Sequence, residues 1–157
     1  MYMIRIKPHH FVDIVRDYGK GIKEYTPHPY GHALHIIAKK ILGDLDIIIQ
    51  IELGIDDICE PCIHNVNGVC DDLIDTSFRP QAPESKNEWN LLIDKRWCNV
   101  LNIKQEDLIG IKELCKRIKN CSYSDIKNIY RELPENMIVE REKNIKKGLE
   151  LILNKKF

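Results

Sequence analysis

No apolar run in this chain approaches the roughly 18 residues that a membrane-spanning helix needs. The opening residues, Met1-Tyr2-Met3-Ile4-Arg5-Ile6-Lys7, lack the apolar region of a signal peptide. Together these features make the cytoplasm the expected location. Charge of one sign is missing too. The 24 basic and 24 acidic side chains cancel, which argues against the basic footprint of a nucleic-acid binder. No Gly-x-Gly-x-x-Gly, P-loop or Gly-x-Ser-x-Gly is present, so nucleotide-dependent and serine-hydrolase chemistry has no support. No internal repeat or low-complexity tract is visible.

What the chain does have is cysteine, in an uneven distribution. Three of its six cysteines fall in the pattern Cys59-x2-Cys62-x7-Cys70. A Cys-x-x-Cys turn points two sulfurs at a common centre, and Gly68 lets the chain curl back so that Cys70 joins them. Without an export signal, a disulfide framework is the weaker reading and metal ligation the stronger. The economical occupant is a soft metal or an iron–sulfur cluster. The set needs a fourth ligand from elsewhere. Cys98, near the end of a predicted helix, is the natural candidate. Its alternative is a core cysteine packed beside Trp97. Cys115 and Cys121 have no partner spacing and read as ordinary buried thiols.

Taken in order, residues 3–7 alternate apolar and charged, the period of a short half-buried strand. Pro8 ends it. A helix from about His9 to Tyr18 follows, with Phe11, Val12, Ile14 and Val15 on its apolar face. The spacing predicts a second helix from about Tyr30 to Leu42 and a second, isoleucine-rich strand over 46–53 that delivers the chain into the cysteine loop. If the two strands are parallel, His9 and His10 and the cysteine loop share one sheet edge, where ligands favour open α/β sheets. Ser85 and Glu88 have capping-box spacing for a helix over 86–101. Further helices are expected from Glu106 to Ile118, from Ser122 to Leu133 and from Ile138 to Leu153. The charged face of the last, Glu140 to Lys147, reads as solvated surface. The expected fold is a mostly helical α+β single domain of 157 residues. Residues 1–72 supply a small two-stranded sheet and the cysteine loop, and residues 86–157 supply the helical part.

Ile4-Arg5-Ile6-Lys7-Pro8-His9-His10, followed by Asp57-Ile58-Cys59-Glu60-Pro61-Cys62 and Gly68-Val69-Cys70, resembles the bacterial and archaeal family known as domain of unknown function 1284. The resemblance covers the first seventy residues. It extends to Leu101-Asn102-Ile103-Lys104-Gln105-Glu106-Asp107, which is similar to that family's linker before its later helices. It implies an iron–sulfur cluster and no assigned reaction. Only His9, His10, Cys59, Cys62 and Cys70 match by position. Many members carry a cysteine where this chain has Asp13. Many also carry a second cysteine group near the C-terminus, where Tyr130 to Met137 here has none. This chain instead has Cys98 and the element Tyr30-Gly31-His32-Ala33-Leu34-His35, as a divergent branch would.

Histidine supplies the remaining candidates. Five of six fall within residues 9–35. His9 and His10 can ligate, act on a substrate, or cap a helix start. Adjacent histidines point apart, so at most one reaches a given metal. His32 and His35 have the i, i+3 spacing of a shared helix face. His28 reads as structural or exposed. His64 reads as a support behind a ligand or as solvent-facing. Asp56, Asp57, Asp71 and Asp72 flank the loop as turn and cap residues. Three readings follow. The first is a redox or electron-transfer protein with a [4Fe–4S] cluster on Cys59, Cys62, Cys70 and Cys98. The second is a module stapled by Zn2+ on the same sulfurs. The third is a metalloenzyme using His9, His10, His32 and His35. Expected partners are a redox protein or a small-molecule substrate. The apolar faces of the late helices leave room for a homodimer.

Overall fold

The computed structural model describes residues 2–155. In chain order the elements are β1 (Met3–Ile6), α1 (Pro8–Gly19), α2 (Leu34–Gly43), β2 (Ile48–Ile51), β3 (Asn65–Val66), β4 (Val69–Cys70), α3 (Lys86–Leu101), β5 (Leu108–Gly110), α4 (Ile111–Lys119), α5 (Tyr123–Ile129) and α6 (Glu135–Leu153). This is the expected α+β architecture, dominated by helices.

The strands β1 and β2 are parallel, with Met3 opposite Ile48 and Ile6 opposite Ile51. Ile4, Ile6, Ile49 and Ile51 are buried, as their alternation requires. The parallel pairing puts the start of α1 and the cysteine loop at the same sheet edge, as topology suggested. The sheet has a third strand that periodicity did not reveal. Antiparallel β5 pairs with β2, Ile109 opposite Ile49. A helix was expected to be running there from Glu106. The chain instead turns at Glu106, whose φ is 72°. Lys104 N–H donates to the Asp107 carboxylate (2.9 Å) and Glu106 N–H donates to the Ile51 carbonyl (2.8 Å). A three-residue strand is too short to show a period of two.

Helix boundaries moved for identifiable reasons. α2 begins at Leu34 rather than near Tyr30, because Gly31 adopts a φ of 73° that no helix accommodates. The helix expected from Ser122 to Leu133 is shorter: α5 stops at Ile129, and Pro134 stands at the N-cap of α6. The Ser122–Asp125 and Ser85–Glu88 caps form, the first as a reciprocal capping box and the second through the Ser85 oxygen.

α1 packs closely on α6. A Cβ on Gly148 would lie 1.9 Å from the Val15 carbonyl oxygen, and one on Gly19 would lie 2.0 Å from that of Asn144. Only glycine permits this crossing. The charged face of α6 is not wholly solvated, contrary to expectation. Arg141 reaches across to Asp13 on α1 at 2.8 Å and lies over the Tyr130 ring.

Candidate metal centre

Asp56 is where the site is assembled. It follows β2, is fully buried, and uses both carboxylate oxygens twice. Oδ1 accepts from the backbone N–H groups of Ile58 (3.1 Å) and Cys59 (3.0 Å). Oδ2 accepts from Lys7 N–H (2.8 Å) and from His10 Nδ1 (2.7 Å). One side chain therefore caps the turn that carries Cys59, ties it to the end of β1, and fixes the His10 ring. Burial opposes ionisation of Asp56. The His10 charge and hydrogen bond, with the Lys7 and Cys59 amides, outweigh it and hold the carboxyl well below the usual carboxylate range.

The loop then closes on itself. Cys62 N–H donates to the Cys59 carbonyl (2.9 Å) and Asn65 N–H to the Cys62 carbonyl (3.0 Å). Asn67 and Gly68 have φ of 53° and 83°, the left-handed pair that joins β3 to β4 in a tight hairpin. Cys70 returns opposite Asn65. The three thiols thus line one cavity of about 120 Å³, shared with His10, His32 and His64.

These histidines are not equivalent. His10 donates Nδ1–H to the carboxylate; once the ring gives up its second proton, Nε2 carries the lone pair a metal needs, so metal binding displaces that proton as it displaces the thiol's. His32 Nδ1 accepts from Leu34 N–H (3.4 Å), which puts the ring proton on Nε2 and leaves a donor instead of a lone pair. Burial, then the charges of His28 and His10, push the His32 pKa down, so the ring is neutral. His64 is held on one side, Nδ1 at 2.8 Å from Asp71; its Nε2 stands 3.9 Å from Asp72, beyond hydrogen-bond distance. His28 stacks on His32 at 4.5 Å. The hydrogen-bonding pattern leaves two histidines of this cavity, His10 and His64, with an Nε2 that can offer a lone pair and makes no hydrogen bond among the described residues; of the two, His10 is the one whose ring lies within 4.8 Å of the Cys59 sulfur.

Lys7 adds a charge. It is 2% exposed and lines the same cavity, and its ammonium has no hydrogen-bond or ion-pair partner among the described residues. A buried cation needs a counter-charge, and thiolates are the groups at hand. Without a metal, the Cys59 thiol is pushed up to about 12 by burial and then by the Asp56 charge. A metal must displace that proton. His10, Asp56 and Cys59 bring donor atoms within 4.8 Å of one another. Asp56, with four hydrogen bonds already accepted, holds the other two and has no lone pair well placed to ligate.

The other predicted residues lie elsewhere. Cys98 does not line this cavity. It is buried on α3 two turns beyond Asn90, which does, or about 12 Å along the helix. Its thiol is pushed up to about 11 by burial, then by Asp94 and Asp107. Cys115 and Cys121 are core thiols, as expected. His9 turns away from the sulfurs and is gripped by the buried Asp94, backbone N–H at 2.7 Å and Nδ1 at 2.8 Å. His32 and His35 share no helix face, because α2 starts between them. His35 lines a separate cavity of about 650 Å³ with Ile36, Lys39 and Ile47, and its buried Nδ1 has no partner. Lys7, Asp94 and Asn90 were not singled out from the sequence. Lys7 carried a faint signal, as the charged residue that closes an alternating strand. Comparison with family models, curated proteins and solved structures finds no match for this chain.

Proposed function

We propose that the protein carries an iron–sulfur cluster on Cys59, Cys62 and Cys70, with His10 as fourth ligand in place of Cys98, and works as a redox protein of the cytoplasm. The observation that carries this reading is the composition of one small cavity: three thiols, an imidazole held by the buried Asp56 carboxylate within reach of Cys59, and a buried ammonium without a counter-ion among the described residues. Three thiolates give the centre a net negative charge, and Lys7 balances part of it. Support for a cluster over a single zinc ion comes from spacing. Thiolates on one tetrahedral zinc lie about 3.8 Å apart, given bonds near 2.3 Å. Cys59, Cys62 and Cys70 do not form a group within 4.8 Å of one another among the described residues. The resemblance to the domain of unknown function 1284 family points the same way. Among the described residues, no helix is long and apolar enough to cross a membrane.

The test is metal and acid-labile sulfide analysis with an absorption spectrum on protein purified without oxygen. Iron, sulfide and a broad band at about 400 nm, where thiolate-to-iron charge transfer falls, are expected. His10→Ala should then yield a cluster that loses iron several-fold faster. Stoichiometric zinc without colour overturns the cluster and leaves a zinc staple on the same ligands.

A further inference from the structure

Behind the metal centre lies a second cavity of about 310 Å³, lined among others by His9, His10, Arg79, Trp89, Asn90 and Arg141. We infer that it is a binding site for a small organic carboxylate with an apolar or aromatic body. As a substrate or effector site this rests on the metal-centre reading, because the two cavities share His10, Leu34, Lys86 and Asn90 as a common wall. As a binding site it stands on its own residues.

Charge is the first argument. Arg79 is held in place without a direct ion pair. Its Nε donates to the Asp75 carbonyl (2.8 Å), and its guanidinium lies over the Trp89 ring at 5.3 Å and the Phe78 ring at 4.8 Å. No carboxylate lies within ion-pair distance of it among the described residues. Its two terminal NH2 groups, the fork that matches a carboxylate, make no hydrogen bond among those residues. Arg141 and Lys86 add positive charge to the same wall, and their partners, Asp13 at 2.8 Å and Asp72 at 3.4 Å, each satisfy one of them. Arg79 has no such ion pair among the described residues; the Asp75 charge acts on it only from beyond ion-pair distance.

Asn90 is the second argument, independent of charge. It is 7% exposed, lines both cavities, and its side-chain amide makes no hydrogen bond among the described residues. Buried amides are rarely left unmatched. One facing a cavity is matched by what enters it. The rest of the lining is Leu34, Ile74, Ile93 and Leu133 with the Tyr130 ring, and Asp13, whose carboxylate is taken up by Arg141 and Arg16. An apolar body with an anionic end fits this pattern, and the cavity is of the size that takes a small molecule.

The test uses benzoate, with benzamide as its neutral counterpart and inorganic phosphate as a bare anion. Each is titrated into the full chain, both metal-free and metal-loaded, while the indole N–H signals of Trp89 and Trp97 are followed by NMR. Benzoate should shift Trp89, which lines the cavity, more than Trp97, which reaches it only through its hydrogen bond to the Tyr130 hydroxyl (2.9 Å). Benzamide should bind at least tenfold more weakly. Arg79→Met should weaken benzoate at least tenfold, and Asn90→Asp, which adds a negative charge, should weaken it by a similar factor. Retention of the Trp97 signal shows that both variants fold. Saturable binding to metal-free protein supports the pocket even if the metal reading fails. A change in the visible spectrum on benzoate addition to loaded protein ties the two together. No Trp89 shift, equal binding of benzamide, or unchanged binding by Arg79→Met overturns the inference. Phosphate binding as tight as benzoate overturns the apolar part of it.

Discussion

His9 and His10 are neighbours in sequence, their rings 4.3 Å apart, and each gives Nδ1 to a buried aspartate. Their surroundings nonetheless differ in kind. The aspartate of His10 comes from the loop it organises and also accepts three backbone N–H groups. The aspartate of His9 comes from the middle of α3 and accepts only from His9 itself. His10 faces sulfurs on short irregular segments; His9 faces a cavity edged by arginines. The cysteines divide the same way. Those on the loop line a cavity, and those on or beside helices pack into the core. A thiol on a loop whose backbone is satisfied by a carboxylate can be aimed. A thiol on a helix goes where packing sends it.

The sharpest test compares the two aspartates. Asp56→Ala leaves three amides and an imidazole without their acceptor in a buried site, which should cost about 3–5 kcal/mol. Asp94→Ala strands one amide and one ring nitrogen, at about 2–3 kcal/mol. Urea denaturation measures both. Equal losses would show that the loop does not depend on Asp56 as argued. Metal content gives a second readout, since Asp56→Ala should lose the metal and Asp94→Ala should keep it.

The cysteines give the next comparison. Cys62→Ser should abolish metal binding with little effect on the fold of the metal-free chain. Cys98→Ser should leave metal stoichiometry unchanged and lower stability by about 1–2 kcal/mol, through a hydroxyl buried among apolar neighbours. Loss of the metal in Cys98→Ser would restore Cys98 as the fourth ligand and sink the assignment of His10.

Much of this was legible in the sequence, and the divide has a physical cause. Cys59, Cys62 and Cys70 could be read as one group because they are local; a turn and a hairpin bring them together, and both have sequence signals. His10 could be placed at the right edge because a parallel pair of strands puts strand ends together. Cys98 could not be tested in this way. Its position depends on how α3 packs, and its sequence neighbour Trp97 said only that the face is buried. The pairing of His9 with Asp94 spans 85 residues and of His10 with Asp56 spans 46, and no periodicity encodes either. The broken helix face of His32 and His35 was foreseeable, since Gly31 stands just before them. β5 was not, because three residues carry no period.

Acid should reveal the smallest of the differences between the two sides. On the arginine side, Asp13 is a third exposed. Burial opposes its ionisation, but the Arg141 and Arg16 charges hold its pKa down to about 2 from 3.8. A depressed carboxyl stabilises the fold above its unfolded value and loses that contribution as protons return. The Asp13 contribution is therefore complete above about pH 4 and disappears as the pH falls toward 2. A shift of this size corresponds to about 2 kcal/mol, which screening at a partly exposed pair reduces to about 1 kcal/mol. Asp56, fully buried, titrates lower still. Denaturation of metal-free protein between pH 5 and pH 2, ranges set by these pKa values, should thus show a first loss that Asp13→Asn removes. The His10 signals in an NMR titration should keep their Asp56-bonded position through that first loss. If the His10 ring is released together with Asp13, the two sides unfold as one unit, and the aspartates differ only in number of bonds.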